Sequence, residues 1–573
     1  MLPYYSRAPD MIKHLCIALA SVLTAYTVSA VNEYEDFKKS LTVFLITYAV
    51  LFLIEKLIHR SVNRNLYDSL PEAAGPLTVK EKLFALFTSF ISITLVSTSS
   101  PLYPFNLWND ANLFFTVGRG IRSGLVLYRD MYEQKGPALY FIHAFCSLIS
   151  DRTFTGVWLL ETGMCFVFIT FAFKTVKLFI KDTEKNNTVF ITLPVCALIY
   201  GSNMFHLGDS CEELCFPLLT VVLYLSLKAL RNDKTLPSYK ETLVMGLICG
   251  LIFWIKYNLC AFIIGTVIFY LIYTIVTKQI RKLFLSALLF LTGFILVSLP
   301  VLIYFAVNNA LSDLFTVYFY NNLFVYSGVT SANKTILSRI LNGFGHVYRF
   351  NYELLFIVCG TLVSFSFLNK KSAVYLLGTF ILMMFATFSA VYSMFYYGLI
   401  FMVFPALFMI PLSALYNDMV NSFSKNRKHV VVPEAVLCLL AALLIFSENK
   451  KLSLIGKPYN ELPQAQFAEI ISTTPDARIL TYDLMDLGFF TASGTQPVNK
   501  YFSYLNIINY LPELRESQDE LIGEEYFDYI ITYSSEYVWD GYSIIMQTEY
   551  SIPFANGKYY KYNFYLYGKT GQS

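Results

Sequence analysis

The sequence predicts a polytopic α-helical membrane protein, and its composition and hydropathy are the two observations that predict it. Of the 573 residues, 56% are hydrophobic and 14% are charged, whereas a soluble domain carries about 25% charged residues. Mean hydropathy is +0.52. These values exclude a soluble enzyme, a disordered chain and a coiled coil. The net charge of +3 gives no reason to expect a nucleic-acid partner.

Apolar runs recur along the first 447 residues. A bilayer crossing needs about 20 apolar residues, and by that measure we predict thirteen crossings. The first run follows Arg7 and Lys13 and ends in Val28-Ser29-Ala30, which resembles a signal-peptidase site, but we expect an uncleaved anchor. The approximate bounds are 11–31, 41–58, 83–100, 154–174, 187–204, 213–230, 242–256, 259–277, 283–307, 350–368, 372–392, 396–416 and 430–447.

Lysine and arginine are distributed unevenly between the two sides of this predicted bundle. With the N-terminus in the cytoplasm, the inner segments carry 22 of them, and the short outer connections carry only Lys38, Lys39 and Lys256. Because positive residues favour cytoplasmic loops, we predict a plasma-membrane protein with a cytoplasmic N-terminus and an extracytoplasmic C-terminus. If the apolar run 137–150 crossed the membrane, every later loop would change sides and the lysines after residue 173 would lie outside. We therefore expect this run to lie along the outer surface as a juxtamembrane helix.

The predicted spans divide the chain into three parts. Residues 1–82 hold two N-terminal helices and a cytoplasmic loop, residues 83–447 form the membrane core, and residues 448–573 form an extracytoplasmic domain. The core has two long outer loops, 101–153 and 308–349, and loops of this length usually carry function.

The C-terminal part has a different composition, with 9 Lys and Arg against 16 Asp and Glu. We expect strands at 477–482, 527–532 and 559–567, and helices at 465–472 and 511–521. Strands that alternate with helices predict a small α/β domain. Its acidic residues are expected at the solvated surface.

A carboxylate stands at the exit of the third span, in Trp108-Asn109-Asp110. Asp110 would lie beside the membrane and face aromatic residues, where low polarity raises the pKa of a carboxylate and makes it a better general base. The alternative is structural, with Asn109 or Asp110 as the cap of a helix that begins there.

Residues of mixed charge directly precede the predicted surface helix. Arg129, Glu133 and Lys135 lie within ten residues of sequence. Arg129 and Lys135 would neutralise a lipid phosphate. The alternative is a solvated loop.

The next outer connection is acidic and contains no Lys or Arg. Asp209 and Glu213 are four residues apart, a spacing that lets both share a helical face with Glu212 beside them. Such oxygen ligands suit Mg²⁺ or Mn²⁺, so one interpretation is a divalent-metal or acceptor site. The other is a capped, solvated helix start.

Two further charges stand in apolar surroundings. Glu161 lies inside the fourth predicted span, and Lys256 lies at the outer tip between two spans. Intramembrane ionisable residues indicate function by default, and the alternative for Lys256 is snorkelling to the surface.

In chain order, these features resemble the GT-C superfamily of membrane glycosyltransferases over roughly residues 83–420. The nearest branch is the glycosyltransferase family 39-like group of protein O-mannosyltransferases and lipid A aminoarabinose transferases, which includes bacterial members that act on cell-wall polymers. The matching features are Asp110 after the first span of the core, the Lys135-Gly136-Pro137 entry to the surface helix, the Gly-Leu-x-x-Gly-Leu helix from Gly246 to Lys256, and Tyr396-Tyr397 before Phe404-Pro405.

The resemblance implies a GT-C fold and an inverting transfer, on the outer face, from a polyprenyl-phosphate sugar to a glycan, lipid or protein acceptor. It implies that Asp110 is the catalytic residue, that Lys135 faces the lipid phosphate, and that a second carboxylate is Asp209, Glu212 or Glu213. Arg129 or Lys256 would share the phosphate charge, and Glu133, Tyr396 and Tyr397 are further site candidates. The motifs indicate no definite cofactor, and the divalent cation considered above, Mg²⁺ or Mn²⁺, is the one candidate.

The chain departs from the family pattern in three ways. Gly136 is inserted between Lys135 and Pro137, the late motif is Tyr-Tyr where the family has His-Tyr, and two extra spans precede the core. The first two loosen the residue assignments, and the third indicates a subfamily.

Two other functions compete with sugar transfer. A polysaccharide polymerase or ligase would also use lipid-linked substrates outside, but arginine-rich loops would favour it, whereas acids opposite a Lys-Pro entry favour the transferase. A lipid-sugar flippase or transporter commonly shows inverted repeats and helices broken at the midplane, and the sequence shows neither.

The charge asymmetry makes the topology testable. Reporter fusions after Lys185 and Lys282 should be cytoplasmic, and a fusion after Ser573 should be extracytoplasmic, because the inner segments carry most of the lysine and arginine. A cytoplasmic reporter at Ser573 would contradict the thirteen-span topology.

Overall fold

The structure is a computed structural model that describes residues 10–31, 37–65, 76–181, 183–325, 335–389, 394–424, 431–446, 450–553 and 559–571. Arg7, residues 326–334 of the second long loop and the basic residues of 425–428 lie outside the described residues.

Short 3₁₀ helices cover Thr188–Ile191, Tyr257–Cys260 and Phe395–Val403, and a π-helix covers Phe315–Val325. The α-helices of the membrane part are α1 (Asp10–Val31), α2 (Phe37–Asn65), α3 (Val79–Val96), α4 (Asn109–Arg122), α5 (Pro137–Cys146), α6 (Thr155–Lys177), α7 (Thr192–Tyr200), α8 (Cys211–Arg231), α9 (Tyr239–Lys256), α10 (Ala261–Val276), α11 (Ile280–Val307), α12 (Leu311–Leu314), α13 (Ile336–Phe350), α14 (Tyr352–Phe365), α15 (Lys370–Phe388), α16 (Pro405–Ser424) and α17 (Val431–Phe446).

Seven helical stretches within the described ranges are long and apolar enough to cross a membrane, which makes the chain a multi-pass membrane protein. An eighth is present if the pair Phe395–Val403 and α16, bent by 58°, forms one span. All thirteen predicted segments contain helix, but α3 is not among the seven stretches. Thr188–Tyr200, α14 and α17 are shorter than the length required of a span, and α9 and α10 form one stretch. The fold class is therefore confirmed with fewer full-length helices than predicted crossings.

Local sequence determines several helix ends around the later site. Thr78 and Ser238 begin α3 and α9 with capping boxes, in which the third helical residue is a glutamate that returns a hydrogen bond to the cap. Pro137 occupies the first turn of α5, where its missing N–H costs nothing. α5 has ten residues, too few to cross a membrane, in keeping with the expected surface helix.

The helices pack as neighbouring pairs around the core. α3 packs on α6, α6 on α8, α9 on α11 and α10 on α15. The two N-terminal helices pack on each other, and they contact α14 and α16. They therefore lie against the late helices of the core. The predicted loop 308–349 is largely helical where it is described, because it contains α12, the π-helix and α13.

The C-terminal part is the expected α/β domain. Its α-helices are α18 (Pro463–Ile471), α19 (Phe489–Ser493) and α20 (Pro512–Gly523), and its strands are β1 (Ile479–Thr481), β2 (Tyr529–Thr532), β3 (Tyr542–Pro553) and β4 (Tyr559–Lys569). The strand order is β1-β2-β4-β3, with β1 parallel to β2 and the other pairs antiparallel. The three predicted strands and both predicted helices are confirmed, and β3 is an additional strand.

This domain docks on α4 through buried polar contacts. The fully buried Asp486 carboxylate accepts a hydrogen bond from the Thr116 hydroxyl at 2.7 Å, and the buried Arg119 guanidinium donates to the Phe490 carbonyl at 3.0 Å. The expectation that the acids of this domain are solvated is therefore wrong for Asp486. Burial raises the pKa of Asp486, and hydrogen bonds from Thr116 and from backbone N–H groups oppose that rise.

Candidate active site

The candidate site lies at the end of the helix bundle on which the C-terminal domain docks. The start of α4 brings Asp110 there, and the loop before α5 brings Glu133 and Lys135. Glu212 comes from the first turn of α8 and Lys256 from the last residue of α9. We call these five side chains the lysine–carboxylate centre.

Asp110 lies in the first turn of α4, but it does not cap that helix. The N-cap is Trp108, which makes no side-chain capping hydrogen bond, so the capping alternative is wrong for Asp110. Oδ1 of Asn109 accepts the Asp110 N–H at 3.0 Å in the first turn. The Tyr396 hydroxyl donates a 3.1 Å hydrogen bond to Oδ2 of Asp110. The ring of Trp108 lies edge-on to Tyr396 at 5.3 Å, and the half-buried carboxylate therefore lies beside an aromatic wall.

Lys135 is held as a cation by the acids around it. Its Nζ lies 3.8 Å from Oε1 of Glu133, and the charge of Asp110 also reaches it. Burial alone would lower the pKa of Lys135, but Glu133 and Asp110 raise it above the ordinary value. Burial raises the pKa of Glu133, and Lys135 opposes that rise. The pair therefore keeps an ammonium group close to Asp110.

The inserted glycine of the Lys135-Gly136-Pro137 motif has a steric explanation. The Gly136 N–H donates to the Ile255 carbonyl at 3.0 Å, and a Cβ at Gly136 would lie 2.0 Å from the Trp254 carbonyl oxygen. Only glycine permits this approach. The insertion therefore brings the Lys135 loop against the end of α9, where Lys256 lies.

Lys256 and Glu212 form the second ion pair of the centre. Their Nζ and Oε1 atoms are 2.6 Å apart, and Lys256 also lies 4.2 Å from the centroid of the Tyr397 ring. Glu212 is buried, whereas Lys256 keeps slight exposure. The charges of Lys135 and Lys256 are close enough to interact. The structure thus brings together two predicted phosphate-binding lysines and both late tyrosines.

The two other acids of the second connection point elsewhere. Both oxygens of Asp209 lie within 3.0 Å of Nε2 of His143, and both side chains are fully buried. Nδ1 of His143 lies 2.8 Å from the Leu139 carbonyl. Burial lowers the pKa of His143, but Asp209 raises it above the ordinary value, which favours an imidazolium that donates from both nitrogens. Burial raises the pKa of Asp209, and His143 opposes that rise.

Glu213 and Glu161 form a buried polar layer beneath the loop 201–210. Oε2 of Glu213 accepts the Asp209 N–H at 2.7 Å, and Oε2 of Glu161 accepts from the Ser97 hydroxyl at 2.7 Å. Lys451, just after α17, donates to the His206 carbonyl. Burial lowers the pKa of Lys451 to about 7, although Glu213 and Glu161 raise it. Lys451 therefore ties the start of the C-terminal part to this loop.

Arg129 is not brought to the centre. Its exposed guanidinium pairs with Asp130 at 2.8 Å and donates to the Asn308 carbonyl at 3.0 Å. Its contacts therefore lie on the rim of the loop, away from the two lysines.

The three acids predicted as a divalent-metal site do not converge on one point. Asp209 contacts His143, Glu212 contacts Lys256, and Glu213 contacts the backbone. Over the part of the chain that the structure describes, no group of three or more His, Cys, Asp or Glu side chains is arranged to hold a metal ion.

Sequence reasoning missed His143, Lys451 and Asp486. His143 is a single histidine in an apolar run, and that isolation is the one signal that singles it out. Lys451 and Asp486 follow the last span in an acidic segment, where a solvated position is the ordinary expectation. The hydrogen-bond partners of these three residues are remote in sequence, so the spacing of residues along the chain could not indicate the contacts.

No family model and no curated protein matches the chain. Two crystal structures of ArnT from Cupriavidus metallidurans are similar to it in fold. The apo structure gives a TM-score of 0.54 and the structure bound to undecaprenyl phosphate gives 0.52. Each has 11% sequence identity and the alignment covers 85% of this chain and 97% of ArnT. The chain therefore has an ArnT-like fold, and at this identity the likeness concerns the fold alone.

The His143–Asp209 pair should be strongly coupled in stability. Removing one partner leaves a buried charge unpaired, so His143→Ala and Asp209→Ala should each cost about 3–5 kcal/mol, and the double variant should cost much less than their sum. The measurement is a double-mutant cycle of unfolding free energy in mixed micelles. The exposed Lys371–Asp233 pair serves as the control, with a coupling below about 1 kcal/mol. Additive losses at His143 and Asp209 would contradict the pairing.

Proposed function

We propose, from this shared fold and the lysine–carboxylate centre, that the protein is a glycosyltransferase. It transfers a hexosyl or pentosyl group from a polyprenyl-phosphate donor to an acceptor on the outer face of the plasma membrane. The observation that carries the proposal is that two adjacent tyrosines connect a half-buried carboxylate to a lysine. Tyr396 donates to Asp110, its ring lies 5.3 Å from that of Tyr397, and Lys256 lies 4.2 Å from the Tyr397 ring. One of the two similar structures, ArnT, is bound to undecaprenyl phosphate, and a polyprenyl phosphate is the leaving group of this reaction.

The reaction assigns opposite roles to the two kinds of charge. Asp110 accepts the proton of the acceptor hydroxyl, and the hydrogen bond from Tyr396 orients its carboxylate. Lys135 and Lys256 meet the phosphate, on which negative charge develops as the sugar departs. A single displacement by the acceptor oxygen inverts the anomeric centre. Glu133 and Glu212 hold the two lysines charged and in place.

The second acid of the site is Glu212. Asp209 is fully buried against His143, and Glu213 is hydrogen-bonded to the backbone, whereas Glu212 contacts Lys256 within the centre. Asp209 and His143 act as positioning residues that fix α5 against the loop 201–210. Arg129 is assigned a peripheral role at the rim, where it meets the phosphate only on approach.

The topology belongs to the same proposal. Thirteen crossings, with the short helices completing the set, place the N-terminus in the cytoplasm and residues 448–573 outside. Residues 1–82 then add two helices to a catalytic core of residues 83–447. The acceptor is a cell-wall polymer, a glycolipid or a protein.

The direct test is release of polyprenyl phosphate. Full-length protein in nanodiscs is incubated with a panel of polyprenyl-phosphate sugars and candidate acceptors, and the lipid product is quantified. Sugar transfer with stoichiometric polyprenyl phosphate supports the proposal. Movement of intact donor between leaflets without its cleavage would instead support a flippase.

Asp110→Asn should lower turnover by about 10²–10⁴-fold, because it removes the general base while it preserves the size of the side chain. The matched control is Asp233→Asn, an exposed carboxylate in the loop between α8 and α9. Turnover and thermal stability are measured on both variants. Near-full turnover of a folded Asp110→Asn enzyme would show that Asp110 is not the base.

Lys135→Gln should weaken donor binding by about 10- to 100-fold, since hydrogen bonds to charged groups contribute about 1.5–3 kcal/mol. The exposed Lys457→Gln is the control. Donor Kd and melting temperature are measured on the same preparations. A lowered melting temperature with an unchanged Kd would reduce Lys135 to a structural residue.

A further inference from the structure

A cavity of about 410 Å³ lies where the C-terminal domain meets the membrane part. Its walls come from residues 98–106 after α3, residues 152–155 at the start of α6, and Tyr459 of the C-terminal domain. None of the five residues of the lysine–carboxylate centre lines it. The volume lies within the range of about 300–1,000 Å³ that small-molecule sites occupy. We call it the junction cavity.

One wall of the junction cavity is aromatic. The Phe105 ring lies edge-on to Phe154 at 5.6 Å and 6.1 Å from the ring of Tyr459. Hydroxyl groups stand beside these rings, among them Thr153 and Thr155, whose Oγ1 atoms are 2.9 Å apart. Aromatic faces next to hydroxyls match the two surfaces of a sugar, its apolar C–H face and its polar rim.

The junction cavity also contains a cation that no acid neutralises. Arg152 is exposed, and among the described residues no carboxylate lies within ion-pair distance of it. Its one side-chain hydrogen bond runs from Nη1 to the Ala492 carbonyl at 2.9 Å. Gly494, with φ +76°, leaves room for the guanidinium, since a Cβ there would lie 2.0 Å from Nη2. The side chain is therefore tethered at one nitrogen, and its other donors are available to an anion.

A buried hydrophobic cluster links the junction cavity to the candidate base. Phe105 and Phe154 belong to the same buried cluster as Trp108. Trp108 contacts Tyr396, and the Tyr396 hydroxyl donates to Asp110. The lining of the cavity is therefore connected to the candidate base through packed side chains.

We propose that the junction cavity binds an anionic sugar of the acceptor, with the sugar ring against Phe105 and Tyr459 and a phosphate or carboxylate group on Arg152. The role as acceptor subsite rests on the proposed function. The C-terminal domain then contributes directly to acceptor recognition through Tyr459 and through the Ala492 tether of Arg152.

The test is a binding titration of full-length protein in nanodiscs, followed by ligand-observed NMR, with glucose 1-phosphate, glucuronate and glucose as probes. At least one anionic probe should bind at least about 10-fold more tightly than glucose, because a charge-assisted hydrogen bond adds to its binding free energy. The preferred anion distinguishes a phosphorylated from a carboxylated acceptor. Equal binding of all three probes, or no binding, would overturn the proposal.

Four variants make the assignment specific. Arg152→Gln should abolish the preference for the anion, Arg152→Lys should keep part of it, and Tyr459→Leu should weaken all three probes. Arg122→Gln is the matched control, because Arg122 lies outside the cavity and pairs with the half-exposed Asp151. An unchanged preference in folded Arg152→Gln protein would overturn the proposal, whatever Tyr459→Leu does.

The failure of this inference is distinguishable from failure of the proposed function. In Arg152→Gln, the Kd of the polyprenyl-phosphate donor should stay unchanged while the acceptor KM rises about 10-fold or more. Wild-type protein that binds anionic sugar but releases no polyprenyl phosphate would refute the transferase and leave the binding site standing. Active wild-type enzyme whose acceptor KM is insensitive to Arg152→Gln would refute the subsite alone.

Discussion

The structure around the candidate site depends on one constraint, which is that a charge buried in an apolar helix bundle must have a partner. An unpaired buried ion costs several kcal/mol or more. Lys135 is accordingly paired with Glu133, Lys256 with Glu212, and His143 with Asp209. The Lys256–Glu212 and His143–Asp209 pairs join segments that local propensity alone would leave independent, whereas Lys135 and Glu133 belong to one loop. These two pairs therefore help to determine which loops meet at this end of the bundle.

The same constraint explains why the C-terminal domain is part of the site. Asp486 and Arg119 are buried polar groups whose hydrogen bonds cross between this domain and α4. The partly buried Lys451 adds a third hydrogen bond, which joins the C-terminal part to the loop that carries Asp209. Separation of the domain from the bundle would expose or orphan all three. Asp110 lies in the first turn of α4, so the docked domain stabilises the helix that positions the candidate base.

The sequence predicted the parts of the site that charge scarcity makes conspicuous. In a chain with 14% charged residues, Asp110, Lys135 and Lys256 stand out beside apolar spans, and the structure brings all three together. The sequence could not predict the roles of His143 and Asp486, because their hydrogen-bond partners are 66 and 370 residues away along the chain. Burial of a polar residue depends on such contacts. Span counting met a similar limit. α14 and α17 are apolar but short, and hydropathy does not show where a helix ends inside an apolar run.

Under the proposed reaction, the two ion pairs favour the transition state over the bound donor. A polyprenyl-phosphate sugar is a phosphodiester with one negative charge, and the departing polyprenyl phosphate gains a second as the glycosidic bond breaks. Before reaction, Glu133 and Glu212 neutralise part of the charge of Lys135 and Lys256, so a singly charged phosphate uses only part of the attraction that the two lysines can supply. As charge develops on the leaving group, its attraction to both lysines increases in a site of low dielectric. Stabilisation that grows along the reaction coordinate accelerates the chemical step, whereas equally tight binding of donor and transition state would not.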